Sequence, residues 1–288
     1  ELEPGDHVVL GRIACGQCEY CRMGRAQLCE RRGPARTNGT LKDGQIRFSR
    51  DGDPVHHCHA ISSFSETTIT TEDVAVKIRD DIPMEKATLL GCGIFTGAGS
   101  VMNAADVEPN SSLVLFGVGG VGLTAVQAAA ARSAGDIIAV DLVDEKLELA
   151  RSMGATHTIN SGEEDVVERV MEITGNGADY SFEFVGSPAV VEQLLPVLSS
   201  TGEAILVGSS PAGKHSVDLD LLDMMTGEKT LRGAFNGSYN LKLAIPDIAD
   251  MMAEGVFDVD PLITDTRPLE ELNEAMEALE DGSQIRQV

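Results

Sequence analysis

The chain has 288 residues, 42% of them hydrophobic and 24% charged, which is typical of a globular protein with one large or two ordinary domains. Its 46 acidic and 22 basic residues give a net charge of −24, and such a surface is repelled by nucleic acid and by anionic membranes. The sequence has no apolar stretch long enough to span a membrane, and we expect a cytoplasmic protein that acts on small molecules.

Lysine is scarce: the 22 basic residues are 7 Lys and 15 Arg. Strong acidity with little lysine favours a protein that stays soluble in high salt, where screening removes self-repulsion. An ordinary acidic cytosolic protein is the alternative. The chain starts at Glu1 and stops where a strand begins, so we expect it to be a fragment of a longer gene product.

Short β-rich runs follow one another from residue 1 to about residue 80. Gly, Asp and Pro separate them, as turns require, so a compact β domain is predicted. The runs are Val8–Leu10, Ile46–Phe48, the Thr-rich stretch Ser65–Thr71, and Val74–Ile78.

From Leu113 onward, buried strands alternate with helical patterns through short connections. This order predicts a parallel sheet covered on both faces, the doubly wound α/β arrangement. The predicted strands are 113–116, 137–140, 156–159, 180–185 and 203–207, and the predicted helices are 123–133, 145–153, 163–173 and 190–198.

The first turn of this region is Gly117-Val118-Gly119-Gly120-Val121-Gly122, a G-x-G-x-x-G pattern between a strand and a helix. The first glycine permits a tight turn, the second lets the backbone approach a pyrophosphate, and the third allows close helix–strand packing. Phosphates would lie at the helix N-terminus, where free N–H groups favour anions. The pattern predicts a dinucleotide site.

Asp141 ends the second strand of this region, 19 residues after Gly122. A carboxylate there accepts hydrogen bonds from the adenosine ribose and repels a 2′-phosphate, so NAD is favoured over NADP. NADP binding, or a purely structural turn with a solvated aspartate, are the alternatives.

Four of the six cysteines form a C-x2-C-x2-C-x7-C pattern. Four thiolates in so short a loop can complete the tetrahedral shell of a structural zinc ion. Disulfides and an iron–sulfur cluster compete with zinc, although disulfides between thiols three residues apart are strained. The four residues are Cys15, Cys18, Cys21 and Cys29.

Together, the four-cysteine loop, Gly91-Cys92-Gly93, the glycine turn and Asp141 resemble the medium-chain zinc-dependent alcohol dehydrogenases over essentially the whole chain. The aryl (benzyl) alcohol dehydrogenase branch is the most similar, with the glutathione-dependent formaldehyde dehydrogenases second. The resemblance implies a Rossmann domain at 94–235 and a split, β-rich, GroES-like catalytic domain at 1–93 and 236–288.

The resemblance also implies roles for single residues. A cysteine between glycines is by itself more often a buried apolar residue, but here Cys92 becomes one of three ligands to a catalytic zinc. Thr96 would pack beside the nicotinamide, and Cys58 and His59 would line the alcohol pocket. The remaining implied cofactor contacts are Val121, Lys146, Val207, Ala234, Asn236 and Arg286.

In the family, the other two catalytic zinc ligands and the proton relay precede the strand that begins at Gly5-Asp6-His7. We therefore expect this chain to lack them and to be inactive when expressed as given. Because catalytic zinc needs three protein ligands, Cys92 alone would not retain it.

The run His56-His57-Cys58-His59 has metal-binding residue types. Adjacent residues in a strand point to opposite faces, so four in a row cannot all converge on one ion. Pocket lining is favoured, with an exposed surface loop or true metal ligands as alternatives.

The implied reaction is oxidation of a primary alcohol, aromatic or allylic, with zinc polarising the hydroxyl and NAD accepting hydride. The rival functions are oxidation of formaldehyde adducts of glutathione and a non-catalytic dinucleotide-binding role. A homodimer or homotetramer is expected, with Leu231–Phe235 pairing across the interface.

Overall fold

The computed structural model describes residues 2–12, 14–211, 213, 215–280 and 284–288. The chain divides into two compact units. The first consists of Glu1–Phe95, Tyr239–Gly255 and Leu262–Val288, and the second of Thr96–Ser238 and Val256–Pro261.

The elements of the described residues follow the chain in this order. The strands are β1 Val8–Leu10, β2 Phe48–Arg50, β3 Asp53–Val55, β4 Ala75–Lys77, β5 Leu113–Phe116, β6 Ile137–Asp141, β7 His157–Asn160, β8 Ala178–Glu183, β9 Leu198–Leu206, β10 Thr230–Gly233, β11 Ile263–Asp265 and β12 Arg286–Gln287. The α-helices are α1 Glu19–Arg22, α2 Arg32–Asn38, α3 Met84–Ala87, α4 Gly93–Gly99, α5 Gly120–Ala131, α6 Asp144–Ser152, α7 Val166–Thr174, α8 Pro188–Val191, α9 Leu221–Thr226, α10 Leu241–Ala253 and α11 Leu272–Glu280.

The first unit is built from pairs of short strands. Strands β1 and β4 pair antiparallel, β2 and β3 form a hairpin, and β11 and β12 pair in parallel. The hairpin turn is Asp51-Gly52, with φ of 53° and 91°. Positive φ at both positions matches the twist of the flanking strands, which explains the Asp-Gly sequence.

The strand predicted over Ser65–Thr71 is wrong, because those residues are in a loop. The hydroxyl of Thr70 donates to the carbonyl of Ala60 at 2.7 Å, and that of Thr68 donates to the carbonyl of Ile61. The threonine side chains thus satisfy local backbone acceptors instead of packing on a sheet.

The second unit contains a six-stranded parallel sheet in the order β10-β9-β8-β5-β6-β7. The predicted Rossmann fold class is confirmed. Strand β5 lies between β8 and β6, and the chain crosses from one half of the sheet to the other there. Ligands of such sheets bind at the carboxyl ends of the strands next to this reversal.

Glycine lets the part of α4 that belongs to the second unit approach α5 closely. A Cβ added to Gly97 of α4 would lie 2.1 Å from Oγ1 of Thr124 and 2.2 Å from the carbonyl oxygen of Val121, both in α5. Thr124 Oγ1 donates to that carbonyl at 2.7 Å, so the contact is hydrogen-bonded as well as tight. This packing fixes α5 directly behind the glycine-rich turn.

Among the helices of the described ranges, none is long and apolar enough by itself to cross a membrane. The two helical segments Met84–Gly91 and Gly93–Ala104, which are bent relative to each other, reach the length and apolar composition of a membrane span only when they are taken together.

Candidate cofactor and metal sites

The glycine-rich turn joins β5 to α5. Gly117 has φ of +85°, a left-handed conformation that glycine adopts without strain, and its N–H donates to the carbonyl of Val140 at 2.8 Å. Gly119 precedes the helix, and its carbonyl accepts from Leu123 N at 2.9 Å. The amides at the start of α5 are therefore the free donors that a phosphate group can accept from.

The other two glycines have different surroundings. A Cβ on Gly122 would lie 2.0 Å from the carbonyl oxygen of Gly117, so no side chain fits there. A Cβ on Gly119 would meet no heavy atom within 4 Å, so the space above this residue is open. The open space at Gly119 lets a pyrophosphate approach the backbone, and the close packing at Gly122 holds the helix against the strand, as a dinucleotide-binding turn requires.

Asp141 is the last residue of β6 and connects that strand to the glycine-rich turn. Its Oδ2 accepts from Val118 N at 2.9 Å, and its Oδ1 accepts from Leu142 N at 2.8 Å and Val143 N at 3.1 Å. The carboxylate is therefore held in place beside the turn before any ligand binds. Each carboxylate oxygen can accept further bonds from ribose hydroxyls.

The four-cysteine loop brings its sulfur atoms together. The Sγ atoms of Cys15, Cys18, Cys21 and Cys29 all lie within 4.8 Å of one another, and those of Cys15 and Cys21 are 3.9 Å apart. A tetrahedral Zn–S₄ site with bonds near 2.3 Å needs sulfur separations of about 3.8 Å. No disulfide joins any of the six cysteines, all of which are described. The arrangement fits a zinc ion and argues against the disulfide alternative.

The thiol pKa values in this loop diverge. The amides of Gln17 and Cys18 donate to the Cys15 sulfur and lower its pKa to about 6. Burial raises the pKa of Cys21 to about 12 and also raises that of Cys29. Four thiolates so close together require a cation, and a bound metal ion supplies that charge.

Cys92 is exposed and lies between two glycines in contact with other segments of the first unit. A Cβ on Gly91 would lie 3.3 Å from the carbonyl oxygen of Leu10, and one on Gly93 would lie 3.4 Å from Nη2 of Arg286. The fold thus brings Arg286 beside the Cys92 segment. Glycine at position 93 leaves room for the guanidinium group.

Comparison with known proteins agrees with this geometry. A family model described as zinc-binding dehydrogenase matches residues 120–254. The S-(hydroxymethyl)glutathione dehydrogenase of Synechocystis sp. is 36% identical, with 100% of this chain and 78% of that protein covered. The chain belongs to the medium-chain zinc-dependent alcohol dehydrogenase family.

Solved structures of this alcohol dehydrogenase family have the same fold. An alcohol dehydrogenase zinc-binding domain protein from Burkholderia ambifaria has a TM-score of 0.95 at 39% identity, over 99% of this chain and 77% of its own. Benzyl alcohol dehydrogenase from Acinetobacter calcoaceticus has a TM-score of 0.88 at 36% identity, over 100% of this chain and 78% of its own. The zinc and NAD predictions are therefore confirmed at the level of the family.

The other predicted cofactor residues lie in the second unit. Thr96, Val121, Lys146 and Val207 are half-buried, whereas Ala234 and Asn236 are buried. Val207 N donates to the carbonyl of Glu183 at 3.0 Å, and Ala234 N donates to that of Leu206 at 2.8 Å. Both therefore lie where β9 and β10 end, at the carboxyl edge of the sheet.

The histidine-rich run does not act as one cluster. His57 is buried, its Nε2 accepts from Arg47 N at 3.2 Å, and burial lowers its pKa. Nδ1 of His56 is 2.9 Å from the carbonyl oxygen of Asn38. Cys58 is exposed and His59 has φ of 54°, and together with Thr37 to Gly39 the run lines a depression of about 570 Å³.

Sequence reasoning missed one residue of this dehydrogenase fold, Glu183, which ends β8 and is only 1% exposed. Its Oε1 accepts from the amides of Val185, at 2.6 Å, and Gly186. Burial raises the pKa of this carboxyl, while the surrounding amides oppose the rise. The sequence signal that could have identified Glu183 is an acidic residue between two phenylalanines at the end of a strand predicted to be buried.

Proposed function

We propose that this chain belongs to an NAD-dependent enzyme that oxidises a primary alcohol, aromatic or allylic, to its aldehyde. The observation that carries the proposal is the exposed residue Cys92, which lies between Gly91 and Gly93, with the Arg286 guanidinium next to Gly93. Cysteine is normally a buried residue, so an exposed cysteine between two glycines argues against a merely structural dinucleotide-binding protein.

In this proposal the residues of the chain have separate tasks. The amides at the start of α5 bind the pyrophosphate, Asp141 binds the adenosine ribose, and Arg286 neutralises phosphate charge. Cys92 provides one of the ligands to a catalytic zinc, and Thr96 packs beside the nicotinamide. When bound, zinc supplies Lewis-acid chemistry at the alcohol hydroxyl, and NAD accepts the hydride.

Cys92 is outside the only group of three or more potential metal ligands found among the residues with described structure. A catalytic zinc with fewer than three protein ligands does not persist. We therefore propose that the 288-residue chain alone is inactive while it still retains the zinc of the four-cysteine loop. Turnover is to be assayed on the gene product that includes any residues encoded upstream.

Three observations bear on the substrate. Cys58 and His59 make their part of the proposed alcohol pocket more polar than an apolar side chain would. A benzyl alcohol dehydrogenase structure at 36% identity favours an aromatic alcohol. Curated relatives named S-(hydroxymethyl)glutathione dehydrogenase, at 36% identity for the Synechocystis protein, favour the formaldehyde adduct of glutathione as the second candidate.

A direct comparison of two reactions separates these candidates. NADH production is followed at 340 nm with benzyl alcohol, and with formaldehyde plus glutathione, at matched enzyme and NAD concentrations. A kcat/KM at least about tenfold higher for benzyl alcohol, equal to about 1.4 kcal/mol, supports the aromatic assignment. A kcat/KM at least about tenfold higher for formaldehyde plus glutathione supports the glutathione adduct as the substrate. Absence of turnover with both substrates supports a non-catalytic, dinucleotide-binding function.

The proposal also covers the domain bounds, the cellular location and the oligomeric state. The catalytic domain comprises 1–93 and 236–288, and the cofactor domain is 94–235. We propose a cytoplasmic homodimer or homotetramer, because β10 is an edge strand of the six-stranded sheet with an unpaired side among the described elements.

A further inference from the structure

The carboxyl group of Glu183 holds the loop that follows its own strand. Glu183 is the last residue of β8 and is only 1% exposed. Its Oε1 accepts from the amide of Val185 at 2.6 Å and from that of Gly186. One buried oxygen therefore satisfies two successive amides of the loop between β8 and α8, and their positions are fixed relative to the strand.

The same residue also connects this loop to the end of β9. The backbone carbonyl of Glu183 accepts from Val207 N at 3.0 Å and from Gly208 N at 2.9 Å. A Cβ on Gly208 would lie 2.5 Å from Oε2 of Glu183, so the carboxyl group packs directly against the backbone there. Glycine at position 208 leaves the room that this approach needs.

The loop held by Glu183 packs in turn against the glycine-rich turn. A Cβ on Gly117 would lie 2.5 Å from Cγ2 of Val185, and one on Gly122 would lie 3.5 Å from Cδ2 of Phe184. Contacts thus run without a break from the buried carboxyl group, through residues 184 and 185, to the turn that we assign to the pyrophosphate.

We propose that Glu183 is a positioning residue for the dinucleotide: through the amides of Val185 and Gly186 it holds the β8–α8 loop against the glycine-rich turn, and so keeps that turn in its binding shape before NAD arrives. Being buried, it acts through these loops and does not touch the cofactor. A rigid site loses less conformational freedom on binding, so the expected consequence is tighter binding of the dinucleotide. This inference rests on the proposed function, because it requires NAD at the glycine-rich turn.

Two conservative substitutions separate the reach of the side chain from its charge. Glu183→Gln keeps the length and one carbonyl oxygen, which can accept from both amides. Glu183→Asp keeps the charge but moves the acceptor away from the amides by one methylene group. Ser181→Ala is the matched control, because Ser181 is also buried in β8, and its Oγ donates to the carbonyl of Leu194 at 3.0 Å instead of to the β8–α8 loop.

NADH affinity is measured by titration calorimetry on the 288-residue chain, at a temperature at which thermal unfolding shows every variant to be folded. We expect Glu183→Asp to weaken NADH binding by about fivefold or more, and Glu183→Gln by less than about threefold. Binding of ADP-ribose, which lacks the nicotinamide, should weaken in parallel, because the turn meets the pyrophosphate. Ser181→Ala should lower the unfolding temperature and leave NADH affinity within about twofold of wild type.

A second measurement uses the unsubstituted chain and so does not depend on the folding of any variant. Amide hydrogen exchange is followed by NMR in the absence of NADH. Exchange at Val185 and Gly186 should be at least about a hundredfold slower than in an unstructured peptide. Fast exchange at both amides overturns the inference, because the loop is then not held before the cofactor binds.

NADH affinity that stays within about twofold of wild type in Glu183→Asp also overturns the inference. An equal loss in Glu183→Gln or in Ser181→Ala does the same, since the effect would then not come from the reach of the acceptor. A loss confined to NADH, with ADP-ribose binding unchanged, contradicts a role at the pyrophosphate turn. Failure of the unsubstituted chain to bind either ligand is a different result, since it refutes the proposed NAD site itself.

Discussion

Adding one methyl group should have different effects at Gly122 and Gly119 of the cofactor turn. At Gly122 it should lower stability, and at Gly119 it should weaken NADH binding. A Cβ on Gly122 would lie 2.0 Å from the Gly117 carbonyl oxygen, more than an ångström closer than an ordinary contact, and the obstacle is backbone. Overpacking typically costs about 1–3 kcal/mol, and a rigid backbone clash belongs at the upper end. Gly122→Ala should therefore lower the unfolding temperature by roughly 6–12 °C.

Gly119→Ala should leave stability almost unchanged. Its backbone, with φ of −74° and ψ of −167°, is accessible to alanine, and its Cβ would meet nothing within 4 Å. The methyl group would occupy the space that we assign to the pyrophosphate. If displacing the phosphates costs about 1–3 kcal/mol, the Kd for NADH rises by about 5- to 150-fold.

The assay combines thermal unfolding with NADH titration on the 288-residue chain. Gly33→Ala is the control, because its Cβ would also meet nothing within 4 Å but the residue is in α2 of the first unit. Normal NADH affinity in Gly119→Ala, or a Gly122→Ala protein as stable as wild type, would refute the reasoning about this turn.

Four further predictions follow from the charges and ligands. Elemental analysis of the 288-residue chain should give close to one zinc per molecule, lost in Cys29→Ser and kept in Cys58→Ser. Asp141→Asn should weaken NADH binding by about tenfold or more, because it removes a charge-assisted hydrogen bond to the adenosine ribose. The preference for NADH over NADPH should also become smaller, because the repulsion between the carboxylate and the 2′-phosphate of NADPH is removed. With a net charge of −24, the unfolding temperature should rise between 0.1 and 2 M NaCl, and no rise contradicts the screening argument. Because burial raises the pKa of Glu183 above 4.5, the stability that its neutral form provides is present below that value and lost as pH rises. The free energy of unfolding of wild type minus that of Glu183→Gln should therefore fall from pH 5 to pH 8 in urea titrations, and a flat difference would exclude the raised pKa.

Local patterns predicted much of the second unit. The glycine spacing identified the β5–α5 turn, and Asp141 does end β6. Periodicity failed over 190–198, where a helix was predicted: α8 ends at Val191, β9 begins at Leu198, and residues 192–197 form turns. In these turns Gln193 N donates to the carbonyl of Val190 at 3.0 Å and Leu194 N donates to that of Val191 at 3.1 Å, which are three-residue bonds instead of the four-residue bonds of an α-helix.

Contacts between residues far apart in the chain, and the hydrogen-bond partners of polar side chains, could not be predicted from the spacing of residues in the sequence. The approach of Arg286 to Gly93 joins residues that are far apart in the sequence. Asp141 accepts from Val118 N, 23 residues away, because the loop after β5 folds back beside β6, and local sequence does not encode that approach. The left-handed turn at Asn236 likewise depends on Asn103, far from it in sequence.

Replacement of Cys92 by serine tests the central claim most directly. NAD-dependent oxidation of benzyl alcohol and of the formaldehyde–glutathione adduct is measured for the gene product that includes any upstream residues, with NADH affinity and zinc content as controls. Outer partners of zinc ligands contribute about 10- to 100-fold, so loss of a direct ligand should lower kcat by more than about a hundredfold. NADH binding and the zinc of the four-cysteine loop should persist. A Cys92→Ser enzyme that keeps more than a tenth of the wild-type rate would contradict the account.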